Sequence, residues 1–385
     1  MNKIFDLFQA SRRIVVKVGS SLLVGANYEV KRFWLKSFVE DIRALNEQGK
    51  QVVIVSSGAV GLGRKILRYG SRQLEMNEKQ AAAACGQIEL CSQWARAFAN
   101  DEDDPIYPAQ ILLTLDDSDN RRRYLNARTT FETVLAQPKV IPIVNENDTV
   151  AIEEIRVGDN DRLAARVAQM ISADLLVLLS DVQGLFDQNP ADNPRAYLIP
   201  EVDEITPEIE AMASGPGSTL ASGGMRTKVE AAKIAVAAGC HMLIAYGAEP
   251  HPLRSLTKFG ECTWFKATAN PVSNRKHWIS GTLRAVGSYV VDDGAVAALV
   301  AGRSLLPAGV REVTGTFGRG DAVLIKNTNG KTIGKGLSEY SSSDAERIIG
   351  AKTGEIESIL GFKYRDTLIH RDDMVLDGLK RSAKQ

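Results

Sequence analysis

Cysteine and histidine are scarce in this sequence. Four cysteines, Cys85, Cys91, Cys240 and Cys262, fall at no C-x-x-C spacing, and there are only four histidines. That leaves neither a disulfide framework nor a zinc site, and ordinary reduced thiols are expected. Net charge is lacking too, since 47 Lys and Arg balance 47 Asp and Glu. A formal charge of zero argues against a polyanion binder that works through bulk electrostatics. Nowhere do eighteen apolar residues run uninterrupted, and Met1 to Gln9 contains no basic segment leading into a long apolar one. A soluble, cytoplasmic protein with no membrane partner is therefore expected. Two familiar nucleotide signatures are also missing. There is no G-x-x-x-x-G-K-[ST], and Gly61-Leu62-Gly63 lacks the third glycine of a dinucleotide fingerprint. Any nucleotide site must be of another design.

What is present is an alternation of apolar runs and longer helical patterns up to about Ala245, the signature of an α/β domain with a parallel sheet and crossover helices. The expected strands cover 13–18, 51–56, 106–110, 140–144, 175–179 and 240–245, and the expected helices 31–47, 79–99, 119–136, 161–171 and 225–238. At 385 residues the chain exceeds what one hydrophobic core usually supports, so a second domain is expected. Residues 266–276, without periodicity and with Asn, Pro and Ser, read as the linker after a first domain over 1–265. Beyond it, 277–355 reads as a small β-rich module of short runs punctuated by glycine, with helical pieces near 294–301 and 343–349, and 356–385 as a C-terminal tail.

The stretch richest in chemistry is the β-branched run Val140 to Val144, which ends in Asn145-Glu146-Asn147-Asp148 and is followed by Gly158-Asp159-Asn160-Asp161. In parallel α/β sheets the ligand crevice lies beyond the carboxyl ends of the strands, where these side chains fall. Glu146, Asp148, Glu153, Asp159 and Asp161 crowd negative charge around one strand end, which calls for cations or a substrate amine. Taken in isolation, the stretch reads more readily as a solvated polar loop. Lys17, set among Val15, Val16 and Val18 and followed by Gly19-Ser20-Ser21, is either a snorkelling lysine at a sheet edge or a cation delivered to an anion. Ser56-Ser57-Gly58-Ala59-Val60-Gly61-Leu62-Gly63 reads as a glycine loop whose amides face a carboxylate or phosphate, or as a plain tight turn. Ser180-Asp181 ends another strand run. In Ala221-Ser222-Gly223-Gly224-Met225-Arg226-Thr227-Lys228 a glycine loop opens a helix, and its amides with Lys228 one turn in suit phosphate oxygens. His370-Arg371-Asp372 mimics the start of a protein-kinase catalytic loop, but no Asn follows at the required spacing and no D-F-G occurs.

Taken jointly and in order, these segments resemble the glutamate 5-kinase branch of the amino acid kinase family. The resemblance rests on Lys17-Val18-Gly19-Ser20-Ser21, Ser56-Ser57-Gly58-Ala59, Asn126-Ala127-Arg128, Val144-Asn145-Glu146-Asn147-Asp148, Val157-Gly158-Asp159-Asn160-Asp161, Gly223-Gly224-Met225-x-Thr227-Lys228 and Asn274-Arg275-Lys276. Gly294-Ala295, Ser304-Leu305-Leu306-Pro307, Gly309-Val310 and Val313-x-Gly315 look like the PUA domain carried by many members. Where the family often has Gly-Thr in its glycine loop, this chain has Ala221-Ser222. The resemblance implies a three-layer α/β/α sandwich with a mainly parallel sheet, a PUA-like C-terminal domain, and ATP-dependent phosphorylation of the γ-carboxylate of L-glutamate, the entry to proline synthesis. By the same analogy Lys17 and Lys228 serve the transferring phosphoryl group with Asp161 orienting both. Ser57, Asp148 and Asn160 hold glutamate, with Asp159 beside them, and Ser180, Asp181 and the segment from Ser222 through Gly223, Gly224, Met225, Arg226 and Thr227 to Lys228 line the ATP site. Magnesium is implied on the ATP phosphates without a protein cage, and proline as feedback inhibitor and a homo-oligomer are implied as well.

Rival acceptors within the family are aspartate, N-acetylglutamate, carbamate and UMP. The acidic cluster favours an acceptor with a free ammonium, which suits neither acetylated glutamate nor carbamate, and UMP would call for more basic residues at the acceptor end. A rival of another class is an RNA-binding protein, because PUA domains commonly contact RNA. From His277 to Gln385 fifteen Lys and Arg face thirteen Asp and Glu, a bias too small for a phosphate-tracking surface, which argues against a nucleic-acid partner.

Overall fold

The apolar runs become the inner strands of an eight-stranded sheet in a computed structural model that describes residues 2–99, 104–151, 159–213, 224–268 and 285–376. The chain divides into two units, Met1–Asp119 with Asn126–Pro271, and Asn120–Leu125 with Val272–Gln385. In the first, β1 (Arg13–Val18), β2 (Gln51–Ser56), β3 (Tyr107–Leu113), β4 (Val140–Glu146), β5 (Leu175–Ser180), β6 (Glu201–Val202), β7 (His241–Tyr246) and β8 (Cys262–Phe265) stand in the order β3-β4-β2-β1-β5-β7-β8-β6. The ladders from β3 through to β7 are all parallel, and only the β7–β8 pairing is antiparallel. Strands covered on both faces need apolar residues at every position rather than at alternate ones, which is why Leu175–Ser180 is buried throughout. Pro142 has no N–H to give, and the β2–β4 ladder starts just past it, at Ile54 with Ile143.

The helices of this unit are α1 (Lys3–Ala10), α2 (Ser20–Leu23), α3 (Arg32–Glu47), α4 (Ala59–Ile66), α5 (Met76–Phe98), α6 (Leu115–Asp119), α7 (Arg121–Leu135, of which the part from Asn126 on belongs here), α8 (Asp159–Met170), α9 (Pro207–Met212), α10 (Met225–Ala237) and α11 (Pro252–Phe259). One face of the sheet gives Ile14, Val16, Val18, Ile54 and Val177 to a core shared with Trp34, Phe38 and Ile42 of α3 and Leu90, Trp94 and Phe98 of α5. Helices α8 and α10 pack on each other, and α8 packs on β1. Residues of β1 alternate between faces, so Lys17 stands away from the core that takes Val16 and Val18. Trp94 is fully buried beside Phe38 and Phe98. Burying an aromatic of this size contributes on the order of 3–5 kcal/mol. Its indole N–H donates to Ser56 Oγ at 3.1 Å, which ties this core to the end of β2.

The strands expected over 13–18 and 51–56 fall at those bounds, and the others shift by one to three residues. Two segments depart from expectation. Residues 59–66 form a helix instead of a glycine loop, starting after Gly58, whose φ of 116° is open to glycine and strained for any other residue. The expected 119–136 helix is two helices, α6 and α7.

The second unit contains a five-stranded sheet, β10-β9-β11-β12-β13, built from β9 (Gly287–Val291), β10 (Val310–Gly315), β11 (Ala322–Asn327), β12 (Thr332–Leu337) and β13 (Met374–Leu376). With it go the helices α12 (Asp293–Val300), α13 (Ser342–Ile348) and α14 (Ile356–Leu360). Residues from 356 were expected as tail, yet Ile356, Leu360, Leu368, Ile369 and Met374 belong to the core of this unit, and β13 pairs antiparallel with β12. Their apolar residues are too widely spaced to show a period, and packing alone makes them structural. Arg371–Asp373 is a 3-10 turn whose first N–H groups include one given by Asp372 to His370 Nδ1 at 3.3 Å, which accounts for the His370-Arg371-Asp372 triplet as local structure. Most of the expected linker, from 269 onward, lies outside the described residues.

Candidate active site

The carboxyl ends of β1, β2, β4 and β5 converge with the first turns of α8 and α10, and there Lys17, Asp161 and Lys228 meet. Asp161, in the first turn of α8, is 0% exposed and takes Lys17 Nζ on Oδ1 at 2.6 Å and Lys228 Nζ on Oδ2 at 3.2 Å. Thr227 Oγ1 donates to Oδ2 as well, at 3.1 Å. Both lysines are themselves buried. Burial opposes the carboxylate's charge, but the Lys17 and Lys228 ammoniums outweigh it and hold the Asp161 carboxyl below its ordinary value. Two ammoniums thus flank one carboxylate in a buried cluster. Removing Asp161 would strand two buried ammoniums, and leaving buried charge without its partner typically costs about 3–5 kcal/mol, so the carboxylate also supports the fold.

Beside this cluster lies a chain of amides. Asn160 Nδ2 donates to Ser57 Oγ at 2.9 Å and to Asn145 Oδ1 at 3.0 Å, and it reaches the Ser56 carbonyl at 3.5 Å. Asn145 Nδ2 in turn donates to Gln87 Oε1 of α5 at 2.8 Å. Asn160 Oδ1 is shielded from solvent and accepts no hydrogen bond among the described residues. An unpaired buried acceptor costs about 1–3 kcal/mol, a cost a bound donor would remove. Asp148 is buried just past the end of β4, and it lines a cavity of about 450 Å³ together with Glu146, Asn147, Thr149, Gln87 and Gln110. Apolar Ala83, Ala84, Ile88, Cys91 and Leu112 complete that cavity, which shares Gln87 with the amide chain but does not include the lysines.

The remaining expected site residues are distributed as follows. Ser180 is buried at the end of β5 and donates to Asp181 Oδ1 at 3.1 Å, while Asp181 is exposed. Gly224 caps α10, and Met225 opens it. Arg226 is exposed and pairs with Glu230 at 3.2 Å on the flank of α10 instead of turning to the lysines. Ser222 and Gly223 lie outside the described residues, as does Glu153, and Asp159 is described only as the backbone start of α8. Asn145 and Gln87 were not among the expected site residues. Asn145 stood in the acidic stretch at the end of β4 and could have been taken with Asp148, whereas Gln87 sits mid-helix with nothing around it in sequence to mark it.

Residues 12–246 match the amino acid kinase family, and residues 287–360 match the PUA domain. A glutamate 5-kinase of Paramagnetospirillum magneticum is 55% identical over 370 residues, covering 96% of this chain and 99% of that protein. A glutamate 5-kinase of Rhodopseudomonas palustris is 54% identical over 366 residues, covering 95% and 96%. Glutamate 5-kinase 1 of Mesorhizobium japonicum is 53% identical over 365 residues, again covering 95% and 96%.

Proposed function

The chain belongs to the amino acid kinase family, in its glutamate 5-kinase branch, and we propose that it transfers the γ-phosphoryl group of ATP to the side-chain carboxylate of L-glutamate. The products are L-glutamyl 5-phosphate and ADP, and the reaction is the first step of proline biosynthesis. The observation that supports this most is the buried cluster in which Lys17 and Lys228 flank Asp161, next to Asn160 Oδ1, which accepts no hydrogen bond among the described residues.

The chemistry fits these groups. A glutamate side chain has a pKa near ~4.3 and is already ionised at neutral pH, so no general base is needed. What opposes reaction is the repulsion between this carboxylate and the γ-phosphate. Catalysis then consists of in-line positioning and charge screening. Lys17, fixed on the central strand, and Lys228, fixed in the first turn of α10, would face the transferring group from two elements, with Asp161 holding both ammoniums apart and aimed. Asn160 Oδ1 and the Asp148 carboxylate suit the substrate ammonium, and Ser57 with the amides following it suits a substrate carboxylate. Asp159 remains a candidate for the same acceptor site. Ser180, Asp181 and the segment from Ser222 to Lys228 would line the ATP site.

Among the described residues no group of three or more His, Cys, Asp or Glu is arranged to hold a metal ion, and the Asp161 carboxylate is taken by two lysines. We take magnesium to be carried on the ATP phosphates, where it would screen their charge. No helix among the described residues is long and apolar enough to cross a membrane. We further take the protein to be cytoplasmic, a homo-oligomer and subject to feedback by proline, readings that rest on family membership.

The test is ADP release over a panel of L-glutamate, L-aspartate, N-acetylglutamate, carbamate and UMP, with hydroxylamine present to trap acyl phosphate as a hydroxamate. Glutamate-dependent ADP and hydroxamate are expected. Turnover of another acceptor with none for glutamate would sink the reading. Within it, Asp148→Asn is expected to raise the glutamate KM by about tenfold or more while the ATP KM stays within about twofold, because a charged hydrogen bond to the ammonium is worth about 1.5–3 kcal/mol. Equal rises in both KM values would remove Asp148 from the acceptor site.

A further inference from the structure

We infer that Gln87, on helix α5, is a positioning residue that fixes the polarity of the Asn145–Asn160 amide chain and so makes the site select acceptors that carry a free ammonium. The inference rests on the glutamate kinase reading above. Its starting point is direction. A carboxamide offers a donor on one side and an acceptor on the other, and flipping it reverses what the site presents. The Ser56 carbonyl can only accept, and it lies 3.5 Å from Asn160 Nδ2, which also donates to Ser57 Oγ and to Asn145 Oδ1. Asn145 must therefore turn its oxygen toward Asn160 and its NH2 group away. That NH2 group needs an acceptor, and Gln87 Oε1 provides it at 2.8 Å. Gln87 Nε2 points outward to Cys91 Sγ at 3.3 Å, so the order of donors runs one way through the whole chain.

The consequence falls on Asn160 Oδ1. With both N–H groups of its NH2 engaged by Ser57 and Asn145, Asn160 can offer the site nothing but an acceptor, and that acceptor is buried and unmatched among the described residues. A ligand that brings an N–H donor relieves it, and a ligand without one leaves it unpaired. Sites of this kind reject an analogue lacking the donor more strongly than sites built on apolar contact do. Gln87 need not touch the substrate for this to hold. Without that acceptor the Asn145 NH2 group loses its partner, which favours a flipped Asn145, and the Asn160 amide is then held in direction only by its long 3.5 Å reach to the Ser56 carbonyl.

The test compares L-glutamate with glutarate, which has both carboxylates and no amino group. Gln87→Met, similar in size and lacking an acceptor oxygen, is expected to lower the ratio of kcat/KM for glutamate over glutarate by about tenfold, the equivalent of one buried hydrogen bond. The ATP KM should stay within about twofold of wild type, as only the acceptor end is altered. Gln87→Glu, which keeps an acceptor toward Asn145, is expected to restore most of the ratio. Gln87→Lys, which faces Asn145 with a donor, should lose it even more fully than Met. A ratio unchanged in both the Met and the Lys variants overturns the inference, and so does a fall in Gln87→Glu as large as that in Gln87→Met. If the wild type turns over no glutamate, the functional reading fails and this one fails with it. If the wild type is active and only the ratio fails to move, the functional reading stands alone.

Discussion

Replacing Lys228 with alanine is expected to lower kcat by a factor on the order of 10³ while the glutamate KM rises by less than about threefold. Lys17→Ala should behave alike. An ammonium screening a transferring phosphoryl group acts where charge builds up, so its loss falls on the transition state and not on the resting acceptor. The folded protein should tolerate either change singly. Asp161 is held by two cations, at 2.6 and 3.2 Å, and after one is removed the other still compensates the buried carboxylate. Removing both leaves a fully buried carboxylate that keeps its hydrogen bond from Thr227 Oγ1 but neither ammonium, so the double variant should lose a further 3–5 kcal/mol or so of stability and its Asp161 should no longer stay ionised as readily. Steady-state kinetics with both substrates varied, alongside urea unfolding, reads out both effects. A kcat within tenfold of wild type for Lys228→Ala, or a glutamate KM that rises as far as kcat falls, would take the lysine out of phosphoryl transfer.

Residues 17, 161 and 228 were legible one at a time because each ends an apolar run or opens a helix, the positions where parallel α/β folds put their ligands. That they meet on one carboxylate is a property of the crossovers: β1 lies between β2 and β5, and α8 packs against it. Strand bounds were legible where both faces are covered, since a continuous apolar run has clear ends. The sheet's far edge was not. Cys262–Phe265 is four residues long and reverses direction against β7, and α1 is an eight-residue helix whose buried Ile4, Leu7 and Phe8 are too few to show a period. Gln87 was illegible for a different reason: its role depends on Asn145, 58 positions away, and polar residues inside helices usually face water. The glycines of Gly58-Ala59-Val60-Gly61-Leu62-Gly63 misled for a third. Read as loop glycines they suit anion binding, but two of them sit inside α4, where what matters is how close another backbone comes.

That closeness gives the second large effect. A β-carbon at Gly63 would lie 1.8 Å from the Ala82 carbonyl oxygen, and one at Gly86 would lie 1.8 Å from the Ala59 carbonyl oxygen and 2.6 Å from the Gly63 nitrogen. Ala59 and Gly63 on α4 thus face Ala82 and Gly86 on α5, two residues of spacing four on each helix, and the helices touch backbone to backbone. No rotamer can relieve an overlap with a carbonyl, so the helices must separate. Gly86→Ala and Gly63→Ala are each expected to cost about 3 kcal/mol or more, above the usual range for overpacking because the obstacle is main chain. Gly61 is the control. It lies in the same helix, yet a β-carbon there would meet only the Val24 side chain, at 3.3 Å, and alanine in a helix interior gains up to about 1 kcal/mol over glycine, so Gly61→Ala should change stability by less than about 1 kcal/mol in either direction. The separation also reaches the site, since α4 starts two residues after Ser57 and α5 carries Gln87. In any Gly86→Ala protein that remains folded at low temperature the glutamate KM should therefore rise more than the ATP KM. Thermal and urea unfolding of the three variants decides the matter: if Gly63→Ala and Gly86→Ala are no less stable than Gly61→Ala, the close crossing of α4 and α5 is not what these glycines are for.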